Sequence, residues 1–185
     1  TSGIRNKFER YILTMTTPVD QIKTMRQQAE EIFRAALKAV DPIEAVFRYV
    51  KVVDGGLQIG ERRFEFKDYD RILVVGAGKA GAPMVKALED LLGDRISDGV
   101  IVVKEGHGLP LQHVRTHEAG HPVPDENGYI GSQAIYDLAS SADEETLVIC
   151  LFSGGGSALM PLPVDGVTLE DKQNTTKVLL ACGAD

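Results

Sequence analysis

Two glycine-rich loops, each directly after an apolar strand pattern, are the parts of this sequence best suited to chemistry. The later loop, which reads SGGGS, consists of Ser153, Gly154, Gly155, Gly156 and Ser157. Because glycine has no Cβ, a ligand can approach this backbone closely, and the N–H groups of a helix that begins there can bind anionic oxygens. The two serines add a hydroxyl donor on each side. The SGGGS loop therefore predicts a site for phosphate or carboxylate groups.

The earlier loop, residues 76–81, reads GAGKAG. Gly76, Gly78 and Gly81 match the GxGxxG turn of dinucleotide-binding folds. Lys79 is not needed for that fingerprint, but its ammonium group suits the neutralisation of a carboxylate or of a phosphoryl group in transfer. Two loops of this kind in one chain favour a phosphorylated ligand, with Lys79 as the candidate catalytic residue.

Other interpretations of the GAGKAG loop stay open. A dinucleotide-binding fold would require an acidic residue about 20 positions further on, and Glu105 is a late candidate for it. The loop can also be a tight turn that carries a surface lysine. A P-loop is disfavoured, because GAGKAG lacks both the longer spacer and the Ser or Thr that follows the lysine.

His117, Glu118 and His121 spell the HExxH motif of zinc peptidases. Those ligands must share one face of a helix, and Pro122 disfavours a helix at this point. The pattern instead predicts a strand that enters a loop, and the metal ligands of the protein stay unassigned.

A rigid loop, residues 118–128, follows that strand. It can present His121 or Asp125 to a ligand, although Asp125 is equally suited to cap the next helix. We expect His107 and His113 to be solvated loop residues.

Composition excludes several classes of function. The chain has 185 residues, 43% of them hydrophobic, with a net charge of -7. An acidic surface disfavours nucleic-acid binding, and no apolar stretch reaches the roughly 20 residues that a membrane span needs. We expect a cytoplasmic protein. Cys150 and Cys182 lack metal or redox spacing, and we expect them to be buried thiols in a reducing compartment.

Strands and helices alternate along the second half of the chain. Helices are predicted at residues 18–40 and 42–48, followed by a hairpin-like appendage at 50–66. The later strands are β-branched runs without polar alternation, which indicates a parallel sheet covered on both faces. We predict an α/β fold with a doubly wound, mostly parallel Rossmann-like sheet and an N-terminal helical segment. Ligands of such sheets bind at the carboxyl ends of the strands, where both glycine loops lie.

Four segments together identify a family resemblance: VVGAGKAGAPM, EAGHPVPDENG, CLFSGGGSALMPLP and LEDKQNTTKVLLACGAD. In this order they resemble the N-terminal domain of the class II glycerate kinases, whose C-terminal portion is the MOFRL domain and whose members are often labelled hydroxypyruvate reductases. On this resemblance we interpret residues 15–185 as an incomplete N-terminal domain without its second domain. Residues 1–14 are interpreted as a tag or an extension.

The resemblance implies ATP-dependent phosphorylation of D-glycerate, most often at the 2-hydroxyl, with Mg²⁺ and a cleft between two domains. Lys79 matches the active-site lysine of the family, and the SGGGS loop matches its phosphate- and substrate-binding loop. His121 and Asp125 lie in a family motif without an assigned role. A catalytic arginine of the second domain would lie outside this chain, so this chain alone is expected to be inactive. A homodimer is a candidate assembly, and the sequence leaves the oligomeric state open.

Two alternatives to the kinase stay open. An NAD(P)-dependent hydroxypyruvate reductase would use Gly76, Gly78 and Gly81 to bind pyrophosphate. A non-catalytic ligand-binding fragment is the other alternative.

Overall fold

The computed structural model describes residues 18–184, and the chain divides into two units, Thr1–Asp41 and Pro42–Asp185. The interpreted extension at residues 1–14 lies outside the described residues. In the first unit, helix α1 (Pro18–Ala39) confirms the helix predicted from apolar spacing. Arg34 and Glu30 pair across one turn of this helix at 2.8 Å, with both side chains exposed.

The second unit begins with a short helix and a small antiparallel sheet. Helix α2 (Pro42–Tyr49) leads into strands in the order β1-β2-β3, which span Val50–Val53, Gly56–Ile59 and Arg62–Glu65. The predicted hairpin thus has a third strand, because the chain turns again after β2. Leu57 is fully buried and belongs to the same apolar cluster as Val46, so this appendage packs on the core of its unit.

Four parallel strands form the main sheet of this unit. They are β4, β5, β6 and β7, which span Arg71–Ala77, Asp98–Lys104, Arg115–Ala119 and Thr146–Phe152. Their order in the sheet is β6-β5-β4-β7. The chain therefore moves outward from β4 to β6 and then returns to place β7 on the other side of β4. This order puts a topological switch point between β4 and β7.

Helices cover the two faces of this sheet. On one face, Val74 of β4 shares an apolar cluster with Val85 and Leu88 of helix α3 (Gly81–Leu92). On the other face, the cluster includes Val75 of β4 and Ile135 of helix α4, which spans Glu126–Ser140. Because successive side chains of a strand point to opposite faces, β4 contributes to both clusters. The predicted doubly wound α/β fold is confirmed.

The last two helices of the described chain are α5 (Gly156–Leu159) and α6 (Leu169–Ala181). Thr168 and Asp171 form a reciprocal capping box at the start of α6. None of the helices between residues 18 and 184 combines the length and apolar character that crossing a bilayer requires.

The prediction that the cysteines are buried is wrong. Cys150 and Cys182 are both exposed free thiols. Strand β7 lies at the edge of the sheet, and near its end Cys150 and Phe152 are exposed, whereas Leu151 between them is buried. Cys182 follows α6, a helix without buried residues. An apolar run on an edge strand therefore carries exposed side chains on one face.

Candidate functional site

Both glycine loops lie side by side at the switch point of the sheet. Strands β4 and β7 pair in parallel, and their last residues, Ala77 and Phe152, are register partners. The GAGKAG loop leaves β4 and the SGGGS loop leaves β7, so the two loops start from adjacent positions. Crevices at such switch points are the usual ligand sites of open α/β sheets.

Hydrogen bonds join the two loops directly. The N–H of Lys79 donates to the carbonyl oxygen of Gly154 at 3.0 Å, and the N–H of Ala80 donates to Ser153 Oγ at 3.0 Å. Ser153 in turn donates its N–H to the carbonyl oxygen of Ala77 at 3.1 Å. The loops therefore face each other and form one continuous surface.

Gly76 and Gly78 make this close contact sterically feasible. A Cβ on Gly76 would lie 2.1 Å from the carbonyl oxygen of Leu151, and one on Gly78 would lie 2.2 Å from Ser153 Oγ. The N–H of Gly78 is also in use, since it donates to the carbonyl oxygen of Val102 at 3.0 Å. The structure thus gives both glycines a packing role, and their predicted contact with a phosphorylated ligand stays a prediction.

The SGGGS loop, by contrast, contains backbone N–H groups that are not paired with an acceptor in the described part of the chain. Within residues 18–184, no acceptor receives the N–H groups of Gly154, Gly155, Gly156 or Ser157. Gly155 has φ +93°, a left-handed conformation that turns the loop and that L side chains rarely adopt. Successive unpaired N–H groups around such a turn form a concavity that attracts anions.

Lys79 lies along this donor-rich loop. A Cβ on Gly155 would lie 3.4 Å from Lys79 Cε, and one on Gly154 would lie 4.0 Å from the same atom. The side chain is exposed, so its ammonium group is accessible to a ligand. One cation and a row of free N–H groups therefore occupy the same edge of the sheet.

His121 approaches the loop from the segment between β6 and α4. Its Nε2 would lie 2.8 Å from a Cβ on Gly155, and the His121–Pro122 peptide bond is cis. Partial burial lowers the pKa of His121 below the ordinary histidine value. Nearby positive charges lower this pKa further, and they belong to Lys79, Lys104 and His107. These effects favour the neutral imidazole, which is the form that can accept a proton.

Asp125 caps helix α4. Its Oδ1 accepts the N–H of Gly128 at 2.9 Å, and its Oδ2 accepts the N–H of Gly120 at 2.8 Å. Of the two roles considered for Asp125, the structure shows the cap, because both carboxylate oxygens bond to backbone N–H groups. The cap also closes the loop that carries His121 and so fixes the position of that histidine indirectly.

The HExxH segment is a strand at its start, as predicted. His117 and Glu118 lie on β6, so their side chains point to opposite faces of the sheet. His117 packs beneath Gly131 of α4, where an added Cβ would lie 3.0 Å from His117 Cβ. In the described part of the chain, no three or more His, Cys, Asp or Glu residues are grouped to hold a metal ion.

His107, which was predicted to be a solvated loop residue, also contacts the GAGKAG loop. Its side chain is exposed as expected, yet Nδ1 lies 3.2 Å from the carbonyl oxygen of Lys79. Its place in the sequence could have indicated this contact, because His107 follows the carboxyl end of β5, which is the neighbour of β4 in the sheet. His113 lies farther along the same loop, with its Nε2 3.7 Å from Asp94 Oδ1.

A cavity of about 770 Å³ borders the SGGGS loop. His121, Ser153 and Ser157 contribute polar atoms to its wall, and Phe152, Met160 and Leu180 contribute apolar ones. A smaller cavity of about 320 Å³ lies near the start of α4 and includes Glu126 and Asp165, whose charges suit an anion poorly. The larger cavity is therefore the better candidate for an anionic ligand with an apolar part.

Comparison with known proteins supplies a family. A family model described as "Domain of unknown function (DUF4147)" matches residues 28–185. The chain is 42% identical over 149 residues to a glycerate 2-kinase of Pyrococcus horikoshii, an alignment that covers 80% of this chain and 33% of that protein. It is also 43% identical over 114 residues to a putative hydroxypyruvate reductase of Agrobacterium vitis, with 62% and 30% covered.

The fold has solved relatives as well. A crystal structure of glycerate kinase from Thermotoga maritima matches with a TM-score of 0.69 at 36% identity, over 88% of this chain and 36% of that one. The chain thus spans about a third of the length of the relatives that it matches.

Proposed function

This chain belongs to the DUF4147 family, the N-terminal domain of the class II glycerate kinases, and we propose that the whole protein transfers a phosphoryl group from ATP to D-glycerate, at the 2-hydroxyl. The observation that carries this proposal is the junction of the two loops. Lys79 extends along a loop whose N–H groups at residues 154–157 have no acceptor in the described chain.

Phosphoryl transfer needs few chemical parts. The transferred group spreads negative charge over its oxygens, so catalysis depends mainly on alignment and on charge stabilisation. Lys79 supplies one mobile positive charge, and the free N–H groups of the SGGGS loop supply fixed donors. Removal of one such preorganised donor typically lowers kcat on the order of 10²- to 10³-fold. No covalent intermediate with the protein is required.

His121 is the candidate acceptor for the proton of the glycerate hydroxyl. As that hydroxyl oxygen bonds to the γ-phosphorus, the bond from phosphorus to the β-phosphate oxygen breaks and ADP leaves. The hydroxyl proton passes to the neutral Nε2 of His121, which has a lowered pKa because of its partial burial and its cationic neighbours. Support for this role comes from the short distance of 2.8 Å between this nitrogen and the position of a Cβ on Gly155 in the SGGGS loop.

Phosphate oxygens of ATP fit the donors of the SGGGS loop and the ammonium group of Lys79. Mg²⁺, when bound, would neutralise charge on those phosphates. The described residues contain no group of three or more metal-ligating side chains, so we assign Mg²⁺ no ligand among them.

A hydroxypyruvate reductase is the second candidate, because two relatives from Agrobacterium vitis are named putative hydroxypyruvate reductases. It would place pyrophosphate on the GAGKAG loop. That loop is poorly suited to the task, because the N–H groups of Gly78, Lys79 and Ala80 already donate to protein acceptors. The free donors lie on the other loop, which favours the kinase.

An assay of the full-length protein distinguishes the two candidates. We expect ADP formation to require both ATP and D-glycerate, and we expect no consumption of NADH or NADPH with hydroxypyruvate. Regiochemistry can be read from the product by ³¹P NMR. Consumption of NADH with hydroxypyruvate, without any ATP-dependent product, would replace the kinase with the reductase.

A further inference from the structure

The peptide groups on either side of the Lys79 Cα are held by two different loops. Its N–H donates to the carbonyl oxygen of Gly154 at 3.0 Å, while its own carbonyl oxygen lies 3.2 Å from His107 Nδ1. A carbonyl oxygen can only accept, so the Nδ1 of His107 must carry the proton. The base of the Lys79 side chain is thereby fixed from both directions along the backbone.

The loop that carries His107 is itself held by a carboxylate. Glu118 Oε2 accepts the N–H of Gly106 at 2.9 Å, and Oε1 accepts the N–H of Gly108 at 3.0 Å. These donors flank His107 on both sides, and the N–H of His107 donates to the carbonyl oxygen of Lys104 at 2.9 Å. Hydrogen bonds to an ionised carboxylate are stronger than those between neutral groups.

Close packing limits the freedom of this arrangement. A Cβ on Gly108 would lie only 2.4 Å from Glu118 Oε1, so the carboxylate occupies the space that a side chain would need. Glu118 lies on β6 and Lys79 follows β4, which are separated in the sheet by β5. Three hydrogen bonds thus connect Glu118 through His107 to the backbone of Lys79, across the ends of three parallel strands.

We propose that Glu118 and His107 are positioning residues, which set the location of Lys79 for the transfer of a phosphoryl group and so rest on the function proposed above. Neither side chain needs to touch the substrate. Glu118 orders the loop, and His107 transmits that order to Lys79 through one hydrogen bond. Precise placement matters because a displacement of about 1 Å in a catalytic group can cost on the order of 10²-fold in rate.

Substitutions at His107 separate positioning from a general effect on stability. His107→Ala removes the donor, whereas His107→Asn keeps an amide N–H near the location of Nδ1. His113→Ala is the matched control, since His113 lies on the same loop and contacts Asp94 rather than Lys79. Neither His107, which is exposed, nor His113, which is half-buried, belongs to the apolar core, so truncation of either side chain leaves that core intact.

Amide hydrogen exchange in the full-length protein without substrate is the first measurement. We expect His107→Ala and Glu118→Ala to accelerate exchange of the Lys79 N–H, and we expect His107→Asn and His113→Ala to leave it near the wild-type rate. Unchanged exchange in His107→Ala would overturn the proposal. Because no substrate is present, this result is independent of whether the protein is a kinase.

Kinetics of ATP-dependent glycerate phosphorylation is the second measurement. We expect His107→Ala to lower kcat on the order of 10- to 100-fold with little change in KM, and His107→Asn to recover most of the loss. The double variant His107→Ala/Glu118→Ala should lose no more than His107→Ala alone, within about twofold, if Glu118 acts through His107. Additive losses would overturn that connection. Wild-type protein without kinase activity would refute the proposed function and leave the exchange result to decide the positioning.

Discussion

The N–H of Lys79 donates a hydrogen bond of 3.0 Å to the carbonyl oxygen of Gly154. This bond connects the GAGKAG loop and the SGGGS loop, which are far apart in the sequence but follow neighbouring strands of the sheet. It also turns the backbone of the GAGKAG loop toward the protein, so that this loop offers a side chain to a ligand while the SGGGS loop offers N–H groups. The GAGKAG loop therefore contributes the cation, the SGGGS loop contributes the N–H donors, and the hydrogen bond fixes the position of each loop relative to the other.

Substitution of Gly155 tests the free space beside the SGGGS loop. Gly155→Ala introduces a Cβ 2.8 Å from His121 Nε2 at a residue with φ +93°, so His121 or the loop must move. We expect kcat/KM for ATP-dependent phosphorylation to fall at least about 10-fold because the donors are displaced. Gly166→Ala is the control, as Gly166 has φ +86° with nothing within 4 Å of an added Cβ.

Both alanines carry a similar backbone cost, which is about 1 kcal/mol of stability or somewhat more at a positive φ. Only Gly155→Ala adds a collision at the site. Equal activities in the two variants would mean that the close approach of His121 to the SGGGS loop at Gly155 has no part in catalysis.

We expect the titration of His121 to determine how kcat/KM declines at acidic pH. Its pKa is lowered, first by partial burial and then by the charges of Lys79, Lys104 and His107. The neutral base thus persists below the ordinary value of 6.5. We expect kcat/KM to stay level as pH falls to that value and to decline only at lower pH, and His121→Gln to abolish this decline along with most of the activity. A wild-type decline that begins well above pH 6.5 would contradict the assignment.

The same shift has a consequence for stability. Because the folded protein binds the proton of His121 more weakly than the unfolded chain does, this group favours the folded state fully only above the unfolded pKa. Its contribution is lost as pH falls from there through the folded pKa. Urea unfolding at a series of pH values should show a smaller decrease in stability below pH 6.5 for His121→Gln than for the wild type.

Ser153 and Ser157 should differ in their effect on stability, although both belong to the SGGGS loop. Ser153→Ala leaves the N–H of Ala80 without its acceptor, and we expect a loss of about 1 kcal/mol in the free energy of unfolding. Ser157→Ala removes an exposed hydroxyl for which the described structure records no hydrogen bond, and we expect a change within about 0.5 kcal/mol. Urea unfolding measures both, and equal losses would contradict the hydrogen bond between the loops.

Much of the fold could be predicted because the strands are informative on their own. Continuous apolar runs such as residues 72–75 indicate burial on both faces, and the glycines that follow mark the carboxyl ends of β4 and β7. The order of the strands in the sheet could not be predicted in this way, because no local sequence pattern reveals that β7 pairs with β4 and lies at the edge. That order decides both that the glycine loops meet and that Cys150 is exposed.

The site was only partly predictable for the same reason. Lys79 and the SGGGS loop could be selected by residue type and spacing, and His121 by its place in a rigid loop. The contact between His107 and Lys79 depends on the conformation of residues 105–108, which Glu118 holds from another strand. Such long-range hydrogen bonds leave no periodic signal in the sequence.

The most direct test of the central claim compares Lys79→Ala with Lys86→Ala in the full-length protein, assayed for ATP-dependent phosphorylation of D-glycerate. Lys86 is a partly exposed lysine of α3 that pairs with Asp90 one turn away, an ion pair of little energetic weight. We predict that Lys79→Ala lowers kcat at least about 10³-fold with its unfolding transition unchanged, and that Lys86→Ala retains wild-type kcat. A normal kcat in Lys79→Ala would contradict the assignment of this site to phosphoryl transfer.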